Sequence, residues 1–316
     1  MDPIDRAQPL TGIALKILST FVFTGMATLV KLASARYPIG ELVFFRSFFA
    51  VIPVLIWVMA RGRMTDLFYT ERFGRHFFRS ASGAITMFFG FTALSMLPIA
   101  DATAIGYAAP LMTVVLAVIF LGEKVRVYRW SAVGVGFAGV LVILSDYVGP
   151  GASGGGERSA LGALIAVTGA FLGAVTSTQV RAMVAYERAA TIVVYFSLIT
   201  AAFGLASTPF FGWVWPTPID AAMLVGAGIL GGIGQVTMTQ SFRFADASLI
   251  APFDYTSMIW ALIVSFLVFS TWPTPTMLLG TAIVISAGLF VIYREHRLGI
   301  QRSKSKQAQT PTTPLS

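Results

Sequence analysis

Apolar runs of about 18 to 22 residues recur along the whole chain, each closed by a short polar stretch. Wound as an α-helix at 1.5 Å per residue, such a run crosses a hydrocarbon core roughly 30 Å thick. The pattern predicts ten transmembrane spans, at residues 11–33, 38–60, 77–97, 101–121, 128–146, 160–180, 190–212, 219–242, 246–270 and 275–293. The expected fold class is an all-α integral membrane protein in a lipid bilayer. Residues 294–316 read as a polar, basic and disordered tail.

Composition agrees with that reading. Only 11% of residues are charged and 56% are hydrophobic, against about 25% charged in an ordinary soluble domain. Mean hydropathy is +0.78. The net charge of +8 would suit a nucleic-acid partner if it formed a patch. The charges instead sit in short loops and in the tail, so no nucleic acid is expected. With no cysteine, thiolate metal sites and cysteine nucleophiles are excluded. The acidic Met1-Asp2-Pro3-Ile4-Asp5 lacks the basic start of a cleaved signal peptide, so the first span is expected to be retained.

The basic residues also orient the chain. With the N-terminus inside, nearly all Lys and Arg fall on the cytoplasmic side, Lys16 and Arg79 assigned among them. Only Lys31, Arg36 and Arg158 fall on the other side, and Arg46 lies within a span. Both termini are therefore expected in the cytoplasm, with the chain in a bacterial inner membrane. Trp213, Trp215 and Trp272, among outer-loop prolines, suit an interfacial aromatic belt.

A turn-and-helix unit occurs twice: Leu97-Pro98-Ile99-Ala100-Asp101-Ala102-Thr103 and Arg243-Phe244-Ala245-Asp246-Ala247-Ser248. The copies are roughly 145 residues apart, the spacing of a duplication. Each Asp reads as the N-cap of the next helix. Gly12 matches Gly162, Gly83 matches Gly228, Lys31 matches Arg181, and Phe44-Phe45 matches Tyr195-Phe196. Five spans per copy is an odd number, so the two repeats must be inverted. The expected organisation is one repeat over 11–146, a Gly-rich linker over 147–159, a second repeat over 160–293, and the tail from 294.

Candidate chemistry is sparse. Gly226-Ala227-Gly228-Ile229-Leu230-Gly231 matches a dinucleotide fingerprint in letters only, since it lies inside an apolar span with no preceding strand. Close helix packing explains it better. His76 and His296 have no second ligand at metal spacing. No metal, cofactor or catalytic residue is expected, and the chain does not read as an enzyme. Pro110 and Pro252 break repeat-mate spans, and interrupted helices in matching positions point to a transporter's central site. Asp254 lies about eight residues inside its span, with Tyr255, Thr256 and Ser257 following. A structural role and a proton path both remain open for it. Arg46 has a fork suited to a carboxylate of substrate or protein, with snorkelling to the interface as the alternative. Lys31 and Arg181, near span ends, read as snorkellers. Gln235, Met238, Thr239 and Phe242 share a helical face, and Thr86, Phe89, Gly90 and Ala93 form the matching face in the other repeat. Tyr107 and Pro110 face inward if Ala251, Asp254, Tyr255 and Met258 do. Such a wall would suit a small amphiphilic substrate.

These features resemble the drug/metabolite transporter superfamily in its ten-helix EamA-type branch. The run Phe120-Leu121-Gly122-Glu123-Lys124, with Trp130 and Gly136-Phe137-Ala138-Gly139-Val140, is similar to that family's join between helices four and five. One departure is Phe269-Ser270-Thr271, where the family usually shows Phe-Gly-Glu. Glu123 then has no acidic mate and reads as a structural loop residue. The resemblance implies a secondary transporter, often an exporter of amino acids or related metabolites, working by alternating access around a midplane cavity between helices three, four, eight and nine. Within the branch, the chain resembles the aromatic amino acid exporters most. Proton coupling through Asp254, and monomer against homodimer, stay open.

Overall fold

A computed structural model describes residues 8–60, 67–68, 70, 72–121, 127–148, 156–183, 187–245 and 247–309. Among them there is no strand. The helices are α1 (Pro9–Ala33), α2 (Ile39–Met59), α3 (Phe73–Met96), α4 (Ile99–Gly106), α5 (Ala108–Leu121), α6 (Val127–Ser145), α7 (Glu157–Met183), α8 (Ala189–Ala206), α9 (Thr208–Phe211), α10 (Pro218–Phe244), α11 (Ala247–Ile250), a 3-10 turn (Ala251–Tyr255), α12 (Thr256–Leu267) and α13 (Pro275–Gln309).

Eight stretches among the described residues are long and apolar enough to cross a membrane: α1, α2, Ile99–Leu116, α6, Glu157–Val180, Ala190–Phe211, Pro218–Ser241 and Pro275–Arg294. Ala251–Leu267 is a shorter apolar helix. At 24 residues α3 has the length of a span, but Arg75, His76 and Arg79 make its first turns polar. Phe21, Ile56, Leu141, Leu164 and Leu279 are exposed on the outside of the bundle. Such an apolar exterior is what a lipid-facing surface requires.

The helices pack in matched pairs. α1 lies along α10 as α7 lies along α3, and α2 meets α10 as α8 meets α3. α1 touches α12 as α7 touches α5, while α2 packs on α8 and α6 on α13. Lipid tails are as apolar as leucine, so close approach rather than hydrophobic burial holds such helices together. A Cβ on Gly139 would stand 2.8 Å from the Gly280 carbonyl oxygen, and one on Gly280 would stand 2.6 Å from the Gly139 carbonyl oxygen. The α6–α13 contact therefore needs both glycines. Gly12 approaches Ala245 at the end of α10, and Gly162 approaches Met96 at the end of α3. The glycine-rich run of α10 packs likewise, with Gly228 against Phe49 and Gly234 against Phe23.

Several local expectations are corrected. Asp101 is not an N-cap. Pro98 holds that position with an extended backbone, and Asp101 falls in the first turn of α4, buried, where its carboxylate accepts from the Tyr147 hydroxyl. Proline fixes φ at a value that starts a helix well, so α4 begins earlier than the aspartate suggests. Asp246 and Glu123 lie outside the described residues, as do 149–155 of the linker. Residues 101–121 and 246–270 are both interrupted, as the prolines suggest, but the first break falls at Tyr107 rather than at Pro110. Residues 294–309, expected to be disordered, continue α13 as helix. Their Arg, Lys, Gln and Ala are strong helix formers, and no proline intervenes before Pro311.

Lys31 does not snorkel. Its ammonium donates to the Leu94 carbonyl at 2.9 Å and the Leu97 carbonyl at 2.6 Å. The Leu94 carbonyl would ordinarily accept from the N–H four residues on, but that residue is Pro98 and has none. The orphaned end of α3 takes its donor from α1 instead. The Arg181 side chain lies outside the described residues.

Candidate functional site

A cavity of about 240 Å³ opens between α1, α2, α3, α7, α8 and α10. Arg79, Gly83 and Thr86 line it from one face of α3, at i, i+4 and i+7. Arg46 enters from α2, Phe196 from α8, Thr176 from α7, Gln235 from α10 and Met26 from α1. Small residues make the room. A Cβ on Gly231 would stand 3.0 Å from Arg46 Nε, and one on Gly83 would stand 3.0 Å from Arg79 Nη1 and 2.8 Å from the Phe196 ring. Thr86 and Thr176 share a hydrogen bond of 3.2 Å, and the Ser82 hydroxyl donates to Gln179 Oε1 at 2.7 Å, tying α3 to α7 beside the cavity.

The two arginines are the electrostatic feature of this cavity. Arg46 is only 4% exposed. In both side chains Nε and Nη1 are buried with no hydrogen-bond partner. Their cations lie over the same ring, Arg79 at 3.9 Å and Arg46 at 5.9 Å from the centre of Phe196. A guanidinium cannot shed its charge, so burial without an anion is costly. Snorkelling is excluded for Arg46, whose head points into the bundle. A separate hollow of about 280 Å³ between α3 and α8, lined by Ile85, Phe88, Phe203 and Phe210, is almost wholly apolar. Its one polar side chain, Ser207, already donates to the Gly204 carbonyl at 2.6 Å, and the hollow faces outward with Phe210 exposed.

A second cluster gathers where the two interrupted helices meet. The break between α4 and α5 falls at Tyr107, and Pro110 is the third residue of α5 rather than a mid-helix kink. Pro252 likewise sits second in the 3-10 turn. Both prolines occupy first-turn positions, where a helix has no N–H bond to lose. The hydroxyls of Tyr107 and Ser257 bond at 2.6 Å, and the rings of Tyr107 and Tyr255 meet edge to face at 5.0 Å. Asp254 is partnered, its Oδ1 lying 2.6 Å from Lys16 Nζ. Beside this pair, Thr20 and Thr256 share a bond of 2.8 Å. Lys16 is therefore no loop residue but a buried group of α1.

Two segments, residues 10–145 and 160–294, match the EamA-like transporter family. The chain belongs to this family. It is 29% identical to an S-adenosylmethionine uptake transporter of Rickettsia felis, over 94% of this chain and 97% of that one. It is 29% identical to a riboflavin transporter of Rhizobium johnstonii, covering 91% and 90%. It is 26% identical to the pseudopaline exporter CntI of Pseudomonas aeruginosa, covering 88% and 94%. A protein solved by crystallography shares the fold, with a TM-score of 0.65 over 91% of this chain and 98% of its own at 22% identity.

The EamA-like chain is thus a multi-pass membrane transporter of small molecules, not an enzyme. None of these three relatives is named for aromatic amino acids, so the finer resemblance does not follow from them. Of the residues singled out by pattern, the fold brings Arg46, Thr86 and Gln235 to one cavity. It brings Tyr107, Asp254 and Tyr255 to the second cluster, with Pro110 and Pro252 beside it. Gly90 is exposed, with open space where a side chain would be. Thr239 spends its hydroxyl on the Gln235 carbonyl at 2.7 Å. Met238, half-buried, and Thr239 are not among the residues lining the cavity, and the Phe242 side chain lies outside the described residues. Pattern alone missed Arg79, Phe196 and Lys16. The spacing of Arg79 from Gly83 and Thr86 was the available signal for the first.

Proposed function

We propose that the chain is a secondary transporter of ten spans, in two inverted five-helix halves, working by alternating access in a bacterial inner membrane with both termini in the cytoplasm. Its cargo is a small carboxylate-bearing metabolite, amino acids with apolar or aromatic side groups among them. The observation that carries this reading is the cavity holding the buried Arg46 and the half-buried Arg79, each with Nε and Nη1 unbonded, among helices from both halves. The matched helix neighbours, the two family segments and the basic-residue asymmetry support the inverted arrangement.

In this reading Arg46, Thr86 and Gln235 hold the substrate. Gly90, Met238 and Thr239 border its pathway, and Tyr107, Pro110, Pro252, Asp254 and Tyr255 form the joint about which the halves rock. The driving force is either the substrate gradient alone or protons exchanged at Asp254 against its Lys16 pair. The relatives' names include both uptake and export, so direction follows from the gradient. The test is uptake by liposomes carrying purified protein, using labelled phenylalanine, riboflavin, S-adenosylmethionine and putrescine with and without a pH gradient. Saturable uptake of at least one solute is expected. Linear, non-saturating leakage of all four refutes the reading. Unchanged pH dependence in Asp254→Asn removes that residue as a proton site.

A further inference from the structure

We infer that the cavity is a binding site for the oxyanion head, carboxylate or phosphate, of a small organic anion gripped between Arg46 and Arg79. This deepens the transport reading above and rests on it. The carrying observation is one of missing charge. Arg46 and Arg79 each keep Nε and Nη1 buried and unbonded, and the two cations are near enough to repel. Among the described residues no acidic side chain lines the cavity. Glu187, on the chain just before α8, is already engaged, accepting from the Thr70 hydroxyl at 2.8 Å and lying 3.4 Å from His76 Nε2. The protein thus buries Arg46 and the inner nitrogens of Arg79, and leaves their counter-charge to come from outside.

The geometry also says what the rest of the ligand resembles. Two guanidinium forks over one aromatic ring match the planar, multi-oxygen face of a carboxylate or phosphate, which accepts in pairs. Next to them lie the Phe196 and Phe91 rings and the Met26 and Met87 thioethers, surfaces for an apolar or aromatic body. At about 240 Å³ the space falls below the roughly 300–1,000 Å³ of drug-sized pockets, which suits a single-ring compound. Among the described residues no acidic group in the lining offers an ammonium a counter-charge, leaving only neutral Thr86, Thr176 and Gln235 oxygens to receive one. Of molecules equal in shape, the site should choose the acid over the amide and reject the amine.

Four probes share one ring and differ in charge: phenylacetate, phenyl phosphate, phenylacetamide and phenethylamine. Their effect on the thermal midpoint of the purified, full-length protein measures binding without requiring transport or any variant. Both anions are expected to raise the midpoint saturably, with the amide at least ten-fold weaker and the amine weaker still. The order of the two anions tells carboxylate from phosphate. Arg46→Gln and Arg79→Gln should each lose the anion preference at least ten-fold, and Arg79→Lys should recover part of it. An amide equal to the anions, or no shift with any probe at tens of millimolar, overturns the proposal. Saturable uptake without anion preference sinks this inference and leaves the transporter standing. Anion-selective binding without uptake does the reverse.

Discussion

Lys31→Met tests whether an inward-reaching lysine closes the end of α3. Methionine keeps the unbranched apolar stem and removes only the ammonium. The lost contacts are bonds to the Leu94 and Leu97 carbonyls and the approach of the cation to the Phe269 ring, at 5.6 Å. Bonds from a charged donor contribute roughly 1.5–3 kcal/mol each when well shielded. Lys31 is half-buried, so water competes and the pair together should be worth about 2–3 kcal/mol, with the ring adding roughly 0.5 kcal/mol. The Leu94 carbonyl cannot recover a helical partner, because Pro98 has no N–H. Reversible unfolding in mixed detergent micelles, followed by tryptophan fluorescence, should show a loss of about 2–3 kcal/mol. Lys31→Arg should lose less than half of that. A lysine merely reaching for the interface would cost within about 0.5 kcal/mol on replacement. A Lys31→Met protein that stable refutes the capping argument.

Other substitutions probe separate links. Lys16→Met and Asp254→Asn should show a coupling of about 1 kcal/mol in a double-mutant cycle of unfolding, modest because the Asp254 side chain is 54% exposed; additive singles would mean the pair is not formed. Ser270→Gly should stabilise by about 0.5–1 kcal/mol, since Ser270 closes α12 with φ at +50°, where a side chain is crowded and glycine is not. A destabilised glycine variant would show that the Ser270 side chain is needed there. Tyr147→Phe should cost about 1–3 kcal/mol by leaving the buried Asp101 carboxylate without its side-chain donor. Burial, with the Asp101 carboxylate beside it, holds the Tyr147 phenol above its ordinary value. Its contribution is therefore fully present below about pH 10 and lost above, and a wild-type minus variant difference that falls between pH 6 and 9 would contradict that.

The chain's pattern alone determined the class, an all-helical membrane protein. Bilayer thickness sets the length of an apolar run, so spans such as Pro9–Ala33 and Pro218–Ser241 are readable one at a time. The doubled Ala-Asp-Ala turn and the paired glycines are likewise local marks, and so was the interest of Arg46, a charge where charges are rare. Only the tertiary structure decided what each polar side chain meets. Hydropathy does not say how far a helix is turned about its own axis. Arg79, near a span's start, points at Phe196 because Gly83 and the α3–α8 contact leave room there. Lys16 and Asp254 are 238 positions apart and meet because α1 crosses the 3-10 turn. Lys31 caps a helix it does not belong to. Partnerships of that kind are set by neighbours distant in sequence, and no local period encodes them.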